Sequence, residues 1–347
     1  MTPAYRKILV LLALLLALFL GLVLLDVRLP GFDWGAFAAT LRRLSWAWLA
    51  GAAAFALSTY LGRAVRWAVL MRPVCSHPSL RNLLSATVIG FTAVTLLGRP
   101  GEFVRPYLVA AKERVSFSSQ LGAWLLERIF DLLAVLLIFG YGLARVRQSE
   151  VRVGPALAWV LQAGGTFVAL ASLASLALLV ALRNFSGPLR SRILRIISFL
   201  PEKRFKKASE LLNAVLQGVE STRSHHALGL LLLYTILEWA LIAACFFCVI
   251  RAFGAAAPFG LVDVLIFLGF VSFGAVVQIP GIGGGIQVVS VLVLTELFRL
   301  PLETATSIAL VLWLITFIVI VPFGLALALR EGVSWARLKT IGRQAAE

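Results

Sequence analysis

The sequence predicts an all-α polytopic membrane protein with about six full transmembrane helices and two re-entrant helical hairpins inserted from opposite faces. Three observations support this fold class. Hydrophobic residues make up 61% of the 347-residue chain, charged residues only 14%, and mean hydropathy is +0.96, values typical of membrane proteins rather than soluble globules. Basic residues are concentrated in short segments between long apolar runs. Two apolar runs, one in each half of the chain, are interrupted by glycine and proline.

Six apolar runs are long enough to cross a bilayer, whose hydrocarbon core is about 30 Å thick. No break divides the chain, so we expect residues 1–347 to form a single integral membrane domain. Asp26–Ser45, which contains proline, glycines and an amphipathic piece, predicts a short interfacial helix on the outer side. The six predicted spans are Ile8–Leu25, Trp46–Leu70, Gln120–Ala144, Pro155–Leu182, Ala227–Ile250 and Ser307–Leu329.

The distribution of basic residues predicts the orientation. With both termini in the cytoplasm, the basic connection 183–226 and the tail 330–347 lie inside, and 23 of the 32 Lys and Arg residues are internal against 8 external. This asymmetry follows the positive-inside rule and indicates a bacterial cytoplasmic (inner) membrane protein. The basic residues that give the net charge of +16 are therefore expected to contact anionic lipid headgroups, and no nucleic-acid partner is predicted.

Residues 82–107 contain the first interruption. As a helix, Asn82–Leu97 would be about 24 Å long, shorter than the bilayer core. Pro100 lacks an amide hydrogen and disfavours helix at Arg99, so the chain must bend there. Irregular backbone at membrane depth is tolerated where protein or a water-filled cavity covers it. We therefore expect a re-entrant hairpin whose tip lines a cavity for an anionic group; the alternative is a cytoplasmic loop after a short spanning helix.

Residues 259–298 contain the second interruption. The apolar run Phe259–Val277 is followed by a proline- and glycine-rich stretch, and Ile286–Phe298 would be only about 20 Å long as a helix. A pair of broken apolar segments, one in each half, is the best pointer in a sequence to a transport site. The charge distribution places the first hairpin on the inner face and the second on the outer face. Such an arrangement resembles an inverted-repeat transporter.

Three glycines precede the short helix of the second hairpin. They permit close approach of helices, and the helix that follows them would present free amides and a partial positive charge to an anion. A flexible turn or a small-residue packing contact is the alternative. These candidate substrate-binding residues are Gly283, Gly284 and Gly285.

Charged residues inside one predicted span suggest a binding site. Glu127 and Asp131 are four residues apart on one helical face, with Arg128 between them. A charge at the bilayer centre costs about 2.5–3.5 kcal/mol on insertion scales, so these side chains need partners. Such a network could hold a phosphate between arginines while carboxylates balance the empty site, or it could be a structural ion-pair lock. The expected partners are Arg99, Glu102 and Arg105 in the first hairpin.

Three further charged residues lie in apolar helices. Arg63 and Arg66 are one turn apart. They either add to the basic lining of the cavity or reach the headgroups of the inner leaflet. Glu238 is an isolated acid, suited to a proton-coupled step or to an ion pair with one of the arginines. All three are included in the predicted substrate-binding set.

No catalytic, metal-ligand or nucleotide-binding pattern is visible in the sequence. We therefore predict no catalytic residues, no metal and no cofactor, and we expect a protein that is not an enzyme. Cys245 and Cys248 are spaced as a CxxC motif but lie in an apolar helix. Packing within the helix bundle is the expected role of these two thiols.

Four motifs together resemble one family of flippase-like membrane proteins, named after the transmembrane region of lysylphosphatidylglycerol synthase. They are RAVRW at 63–67, GRPGEFVRPYLVA at 98–110, LLERIFDLL at 125–133 and PGIGGG at 280–285. The resemblance covers essentially the whole chain. Family members often follow the glycine run with another glycine and an acid, where this chain has Gln287 and Ser290. The family's polar positions correspond to Arg99, Glu102, Arg105, Glu127, Arg128 and Asp131.

The resemblance implies movement of lipids or lipid-linked molecules between leaflets. The soluble aminoacyl-transferring domain of the synthase is not expected in the 18 residues after Leu329. We therefore expect a flippase-like transporter of an anionic phospholipid or a polyprenyl-phosphate-linked lipid, which could assemble as a homo-oligomer. One alternative is a non-catalytic accessory or scaffold subunit of a lipid or envelope biosynthesis system. Another is an intramembrane enzyme that acts on lipid phosphates through Glu127 and Asp131.

Overall fold

A computed structural model describes residues 32–148, 224–254, 257–274, 278–279 and 283–332, with scattered positions between 166 and 213. Within these residues the regular structure is helical, apart from one antiparallel pairing of two residues with two. The predicted spans Ile8–Leu25 and Pro155–Leu182 lie wholly or largely outside the described residues. Most of the basic connection 183–226 and of the tail 330–347 also lies outside them.

The helices follow one another with short connections. A 3₁₀ turn, Arg99–Phe103, follows the helix that ends at Leu97, and a π-helical turn, Leu314–Ile318, follows the helix that ends at Trp313. The unpredicted strands Gln278–Ile279 and Gly283–Gly284 lie before the helix that begins at Gly285. The helices are α1 (Trp34–Arg42), α2 (Trp46–Met71), α3 (Leu80–Leu97), α4 (Val104–Glu113), α5 (Phe117–Gln148), α6 (His225–Ala252), α7 (Leu261–Gly274), α8 (Gly285–Glu296), α9 (Leu302–Trp313) and α10 (Ile320–Arg330).

The described helices make the chain a multi-pass membrane protein. Among the described residues, four helical stretches are long and apolar enough to cross a bilayer, and a fifth is added if α1 and α2, bent by 80°, form one span. These four stretches are Leu80–Leu97, Phe117–Val146, His225–Ala252 and Leu302–Arg330. Four of the predicted spans fall on described helices: Trp46–Leu70 on α2, Gln120–Ala144 on α5, Ala227–Ile250 on α6, and Ser307–Leu329 on the continuous stretch from α9 to α10.

Helix α3 is longer than the sequence suggested, because Leu80 and Arg81 extend it to 18 residues. Its length of about 27 Å makes it capable of crossing a membrane, so the prediction of a helix too short to cross was wrong. Helix α1 lies nearly perpendicular to α2, the geometry expected of a helix at the interface. The Asp33 side chain caps α1 by accepting a hydrogen bond from the amide of Ala36.

Helices α3 and α4 fold against each other; we call residues 80–113 the first folded-back segment. A Cβ added to Gly90 would lie 2.6 Å from the Cβ of Arg105, so the two helices approach closely. At their free ends, the Asn82 side-chain amide donates to the Glu113 carboxylate at 2.7 Å. The 3₁₀ turn and α4 together extend about 25 Å, which matches α3. The segment therefore returns to the end of the molecule where it began.

Helices α7 and α8 pack against each other; we call residues 261–274 and 285–296 the second folded-back segment. They are about 21 and 18 Å long, too short to cross a membrane singly. A Cβ on Gly274 would lie 2.6 Å from the Val289 side chain. The rings of Phe259 and Phe298, which flank the segment, have centroids 4.4 Å apart. This segment also returns to its starting end.

The two folded-back segments start from opposite ends of the helix bundle. Helix α7 is antiparallel to α5, because Gly269 packs against Phe139 and Ile266 against Gly142. The start of α7 therefore lies near the C-terminal end of α5, whereas α4 leads into the N-terminal end of α5 at Phe117. Helix α6 is antiparallel to α2, with the amide of Ser45 bonded to the carbonyl of Ala252 at 3.0 Å, and α10 packs against α3.

Candidate functional site

Seven charged side chains from four helices meet inside the bundle. The i, i+3 and i, i+4 spacings within α2 and α5 turn their charged residues toward a common interior. Helix α4 adds a residue from its first turn, and α6 adds one from its middle. The seven are Arg63, Arg66, Arg105, Glu127, Arg128, Asp131 and Glu238.

Arg66 occupies the centre of the cluster. Its guanidinium nitrogens lie 2.7 Å from Asp131, 2.8 Å from Glu127 and 3.2 Å from Glu238. It also donates to the hydroxyl of Thr235 at 3.2 Å. The side chain is 1% exposed and contacts all three carboxylates, so its ion pairs connect α2 with α5 and α6.

Arg63 lies one turn before Arg66 and is less completely paired. Its Nη2 is 2.5 Å from Glu238, but its Nη1 is 3.5 Å from Asp131 and 3.8 Å from Glu127. Its guanidinium also lies 4.7 Å from the centre of the Phe91 ring, a cation–π contact. Both predicted alternatives for this pair of arginines assumed that they share one role, whereas the two side chains have different surroundings.

Arg105 joins the first folded-back segment to the cluster. Its Nη1 donates to both Glu127 oxygens, at 2.8 and 3.1 Å, and its Nη2 donates to the carbonyl of Arg63 at 2.9 Å. Its guanidinium is 4.0 Å from the centre of the Trp67 ring. The close approach at Gly90 allows α4 to bring this side chain to α5.

A cavity of about 540 Å³ adjoins the cluster and lies between the two folded-back segments. The first segment contributes Gly90, Phe91 and the 3₁₀ turn, and the second contributes residues on both α7 and α8. Apolar side chains of α5, α6 and α9 form much of the remaining wall. Six of the predicted site residues line this cavity: Arg63, Arg99, Glu102, Arg105, Arg128 and Asp131.

Five other predicted site residues, all within the described part of the protein, do not line this cavity. Arg66, Glu127 and Glu238 lie behind the lining and hold it in place. The amide of Gly284 is bonded to the Gln287 side chain at 2.7 Å, which satisfies a donor at the start of α8. Gly284 and Gly285 do not line the cavity, which is lined instead by Ile286, and Gly283 pairs with Ile279 in the two-stranded sheet.

Arg99 and Glu102 are not the partners predicted for the α5 charges. They pair with each other at 2.8 Å, and the Arg99 side chain is 56% exposed. The 3₁₀ turn places them three residues apart at the tip of the segment, so their side chains meet locally. Arg105 is the residue of this segment that reaches Glu127. Glu238, interpreted from sequence as isolated, pairs with Arg63 and Arg66.

Four buried donors around the cavity make no hydrogen bond within the described part of the protein. All belong to residues that line the cavity. They are Arg63 Nη1, Arg105 Nε, Arg128 Nε and the indole nitrogen of Trp239. Buried polar groups are normally paired, so the lining leaves four donors available to an acceptor. Behind the lining, the two Glu238 oxygens and Arg66 Nε also make no hydrogen bond, although Glu238 lies within ion-pair distance of Arg63 and Arg66.

The sequence did not identify the three aromatic residues with polar atoms that line the cavity: Tyr60, Trp124 and Trp239. Trp239 follows Glu238 in an otherwise apolar run, and that adjacency was the available signal. No comparable signal distinguished Tyr60 or Trp124 from the other aromatic residues of the chain. Cys245 and Cys248 on α6 are buried in a hydrophobic core, which agrees with the expected packing role, and Cys245 also lines the cavity.

The π-helical turn between α9 and α10 also borders the cavity, through Thr316 and Phe317. The hydroxyl of Tyr60 donates to the carbonyl of Thr316, and that of Thr95 donates to the carbonyl of Phe317, each at 3.5 Å. These contacts bond carbonyls of the irregular turn to α2 and α3. Such turns occur frequently at functional sites.

Within the described residues, no group of three or more His, Cys, Asp or Glu side chains is arranged to hold a metal ion. The model of the family described as "Lysylphosphatidylglycerol synthase TM region" matches residues 10–324. No curated protein and no solved structure matches the chain. The family match covers both folded-back segments and the whole charged cluster.

Proposed function

The chain belongs to the lysylphosphatidylglycerol synthase transmembrane-region family, and on that premise we propose that it is a flippase-like transporter of an anionic lipid. The phosphate of the lipid binds in the cavity between the two folded-back segments. Its hydrocarbon tails stay in the bilayer, and the headgroup moves between leaflets. The lipid is an anionic phospholipid or a polyprenyl-phosphate-linked molecule.

The observation that carries this proposal is a set of four buried donors on residues that line the cavity. Arg63, Arg105, Arg128 and Trp239 each line the cavity and each have a buried nitrogen without a hydrogen bond in the described part of the protein. Phosphate oxygens accept hydrogen bonds from guanidinium and indole groups and carry negative charge. A bound phosphate would therefore satisfy these donors. A cationic or purely apolar ligand would leave them unpaired.

The carboxylates make the empty site tolerable. Glu127, Asp131 and Glu238 lie within ion-pair distance of the buried arginines. Unpaired arginines would be costly inside a membrane. These ion pairs reduce that cost in the absence of lipid, while Arg63 Nη1 and Arg128 Nε remain without a hydrogen bond.

The apolar part of the cavity suits the portion of the lipid next to the phosphate. Its wall includes Leu132 and Val135 of α5 and Ile242 of α6. Leu132 is 38% exposed, so the apolar wall continues to the outer surface of the described helices. Tails can remain against this surface while the headgroup is inside.

In the proposed transport cycle, the two folded-back segments act as alternating gates. Each segment enters and leaves the membrane at the same face, the two from opposite faces, and each separates the central cavity from one leaflet. Movement of the first segment would open the cavity to the inner leaflet, and movement of the second to the outer leaflet. The protein sits in a bacterial inner membrane with both termini in the cytoplasm. The proposal includes no chemical reaction, and therefore no enzymatic activity, metal or cofactor.

The direct test is lipid movement by the purified protein alone. Proteoliposomes containing the full chain and fluorescent phosphatidylglycerol would be treated with an impermeant quencher, and the protected fraction followed over time. We expect the protein to accelerate exchange between leaflets, and Arg105→Ala to abolish this acceleration. Arg251→Gln is the matched control, because Arg251 is exposed at the end of α6 and does not line the cavity.

A second candidate function is supported by the Arg66 ion pairs. Because Arg66 is paired with all three acids and is 1% exposed, part of the cluster is structural. If the whole cluster has this role, the protein is a non-catalytic accessory or scaffold subunit. Lipids that co-purify with the protein would distinguish the two functions. A phospholipid retained by the wild type and lost from a folded Arg105→Ala variant supports transport, whereas equal lipid content supports the scaffold.

A further inference from the structure

We infer that the cavity selects a headgroup whose phosphate carries a single negative charge, a phosphodiester, over phosphomonoesters and diphosphates. This inference rests on the proposed function and adds the charge class of its substrate.

The charged side chains around the cavity do not cancel. They comprise the six that line it and the three that lie directly behind the lining. Five are arginines and four are carboxylates, so among the described residues the site has a formal charge of +1. They are Arg63, Arg66, Arg99, Arg105 and Arg128, with Glu102, Glu127, Asp131 and Glu238.

One added negative charge neutralises this site, and a second would be in excess. Charges interact strongly where protein and lipid replace water, so an uncompensated charge is unfavourable there. A phosphodiester has one negative charge at neutral pH, and a phosphomonoester has close to two. The dianion would leave the occupied site with a net charge of −1 beside an apolar wall.

The carboxylates cannot move away from a second negative charge. Glu127 and Glu238 are fully buried and pair with arginines of α2. Asp131 Oδ2 lies between two cavity-lining arginines, 3.5 Å from Arg63 and 3.2 Å from Arg128. Any anion bound by both arginines therefore lies close to this oxygen. Repulsion from Asp131 increases with the charge of the ligand.

The number of free donors also fits a diester. Two unesterified oxygens of a phosphodiester can each accept two hydrogen bonds. Four residues of the cavity lining each have one buried nitrogen without a hydrogen bond: Arg63, Arg105, Arg128 and Trp239. A terminal monoester or a diphosphate has additional charged oxygens that these donors would leave unsatisfied.

The test compares two lipids that differ in charge and share the same acyl chains. Full-length protein in detergent would be titrated with dioleoyl phosphatidylglycerol and dioleoyl phosphatidic acid at pH 8.5, and bound lipid counted by native mass spectrometry. We expect phosphatidylglycerol to bind about tenfold more tightly, a modest fraction of the full Coulomb effect of one extra charge at this range. Equal affinity, or tighter binding of phosphatidic acid, overturns the inference.

Charge variants provide the second arm. Glu102→Gln raises the formal charge of the site to +2. It changes a side chain in the 3₁₀ turn of the first folded-back segment, outside the cluster of seven charged residues. We expect it to reduce or reverse the preference for phosphatidylglycerol. Glu238→Gln makes the same charge change inside the cluster and should shift the preference in the same direction. The control Glu303→Gln removes an acid that does not line the cavity and should leave the preference unchanged.

The outcomes separate this inference from the proposed function. If neither lipid binds, and the protein moves no lipid in proteoliposomes, the proposed function fails and the inference fails with it. If both lipids bind equally and are both moved, the protein is a transporter without the inferred charge selection. A wild-type preference that Glu102→Gln leaves unchanged also overturns the inference, since the preference would then have another origin.

Discussion

A Cβ atom on Gly90 would lie 2.6 Å from the Cβ of Arg105, closer than two side-chain carbons can pack. This contact determines how closely α4 approaches α3. It thereby sets the position from which Arg105 reaches Glu127 at 2.8 Å. A glycine in the first folded-back segment thus controls the placement of a charged residue in the site.

We expect Gly90→Ala to impair lipid movement more than folding. The added methyl group must push α4 away from α3, because the nearest atoms are backbone and Cβ atoms of Arg105 that cannot rotate aside. The displaced guanidinium would weaken its bonds to Glu127. Initial rates in proteoliposomes should fall by about tenfold or more, since misplacement of a binding group by an ångström is costly. Gly62→Ala is the matched control, because a Cβ there meets nothing within 4 Å.

Arg66→Met should destabilise the fold. The change removes the group that pairs with Glu127, Asp131 and Glu238 and leaves buried carboxylates with fewer partners. Loss of one partner from a buried ion pair costs about 3–5 kcal/mol. Thermal unfolding in detergent should show a much lower midpoint and a lower yield of folded protein. An unchanged midpoint would contradict the structural role of Arg66.

Arg128→Gln should weaken lipid binding while changing the stability of the fold only a little. The Arg128 side chain is 37% exposed, and its ion pairs with Asp131 and Glu127 are longer, at 3.2 and 3.9 Å. We therefore expect a small change in stability. Loss of a charge-assisted hydrogen bond of about 1.5–3 kcal/mol to phosphate should weaken lipid binding by about tenfold or more. Affinity and unfolding midpoint should be measured on the same preparation; a loss of stability with unchanged affinity would assign Arg128 to the structural lock.

Trp239→Phe tests the indole donor separately from the arginines. Phenylalanine keeps much of the apolar contact and removes a buried N–H that has no acceptor among the described residues. We expect the folded protein to be unaffected or slightly more stable, because no hydrogen bond is lost. Phosphatidylglycerol affinity should fall by about fivefold, corresponding to one neutral hydrogen bond of about 1 kcal/mol. Unchanged affinity would show that the indole does not contact the phosphate.

The orientation of the two folded-back segments can be tested by cysteine labelling. In a chain whose three native cysteines are replaced by alanine, single cysteines would be introduced at Ala111 and Gly260, both exposed. If the segments enter from opposite faces, an impermeant maleimide added outside intact cells should label Gly260→Cys and spare Ala111→Cys. Labelling of both positions from one side would exclude the proposed arrangement of gates.

The charged cluster was predictable in part. Glu127 and Asp131 were identified from their spacing in an apolar run, and Arg105 was correctly expected to join them. Arg99 and Glu102 were assigned the same role, but they pair with each other at the tip. Spacing determines which side chains share a helical face, whereas the 3₁₀ turn determines which residues of a short segment extend toward a neighbouring helix.

The membrane class, the helical content and the presence of two interrupted segments followed from the sequence alone. These properties depend on composition and local backbone chemistry. In a bilayer, backbone groups must be hydrogen-bonded within the chain, so apolar runs become helices, and proline or glycine interrupts them. The tertiary structure decided which charges line the cavity. Arg63 and Arg66 are one turn apart, yet only Arg63 faces the cavity, because the rotation of α2 depends on its contacts with α3, α5 and α6. Such contacts join residues far apart in the chain, and no local pattern encodes them.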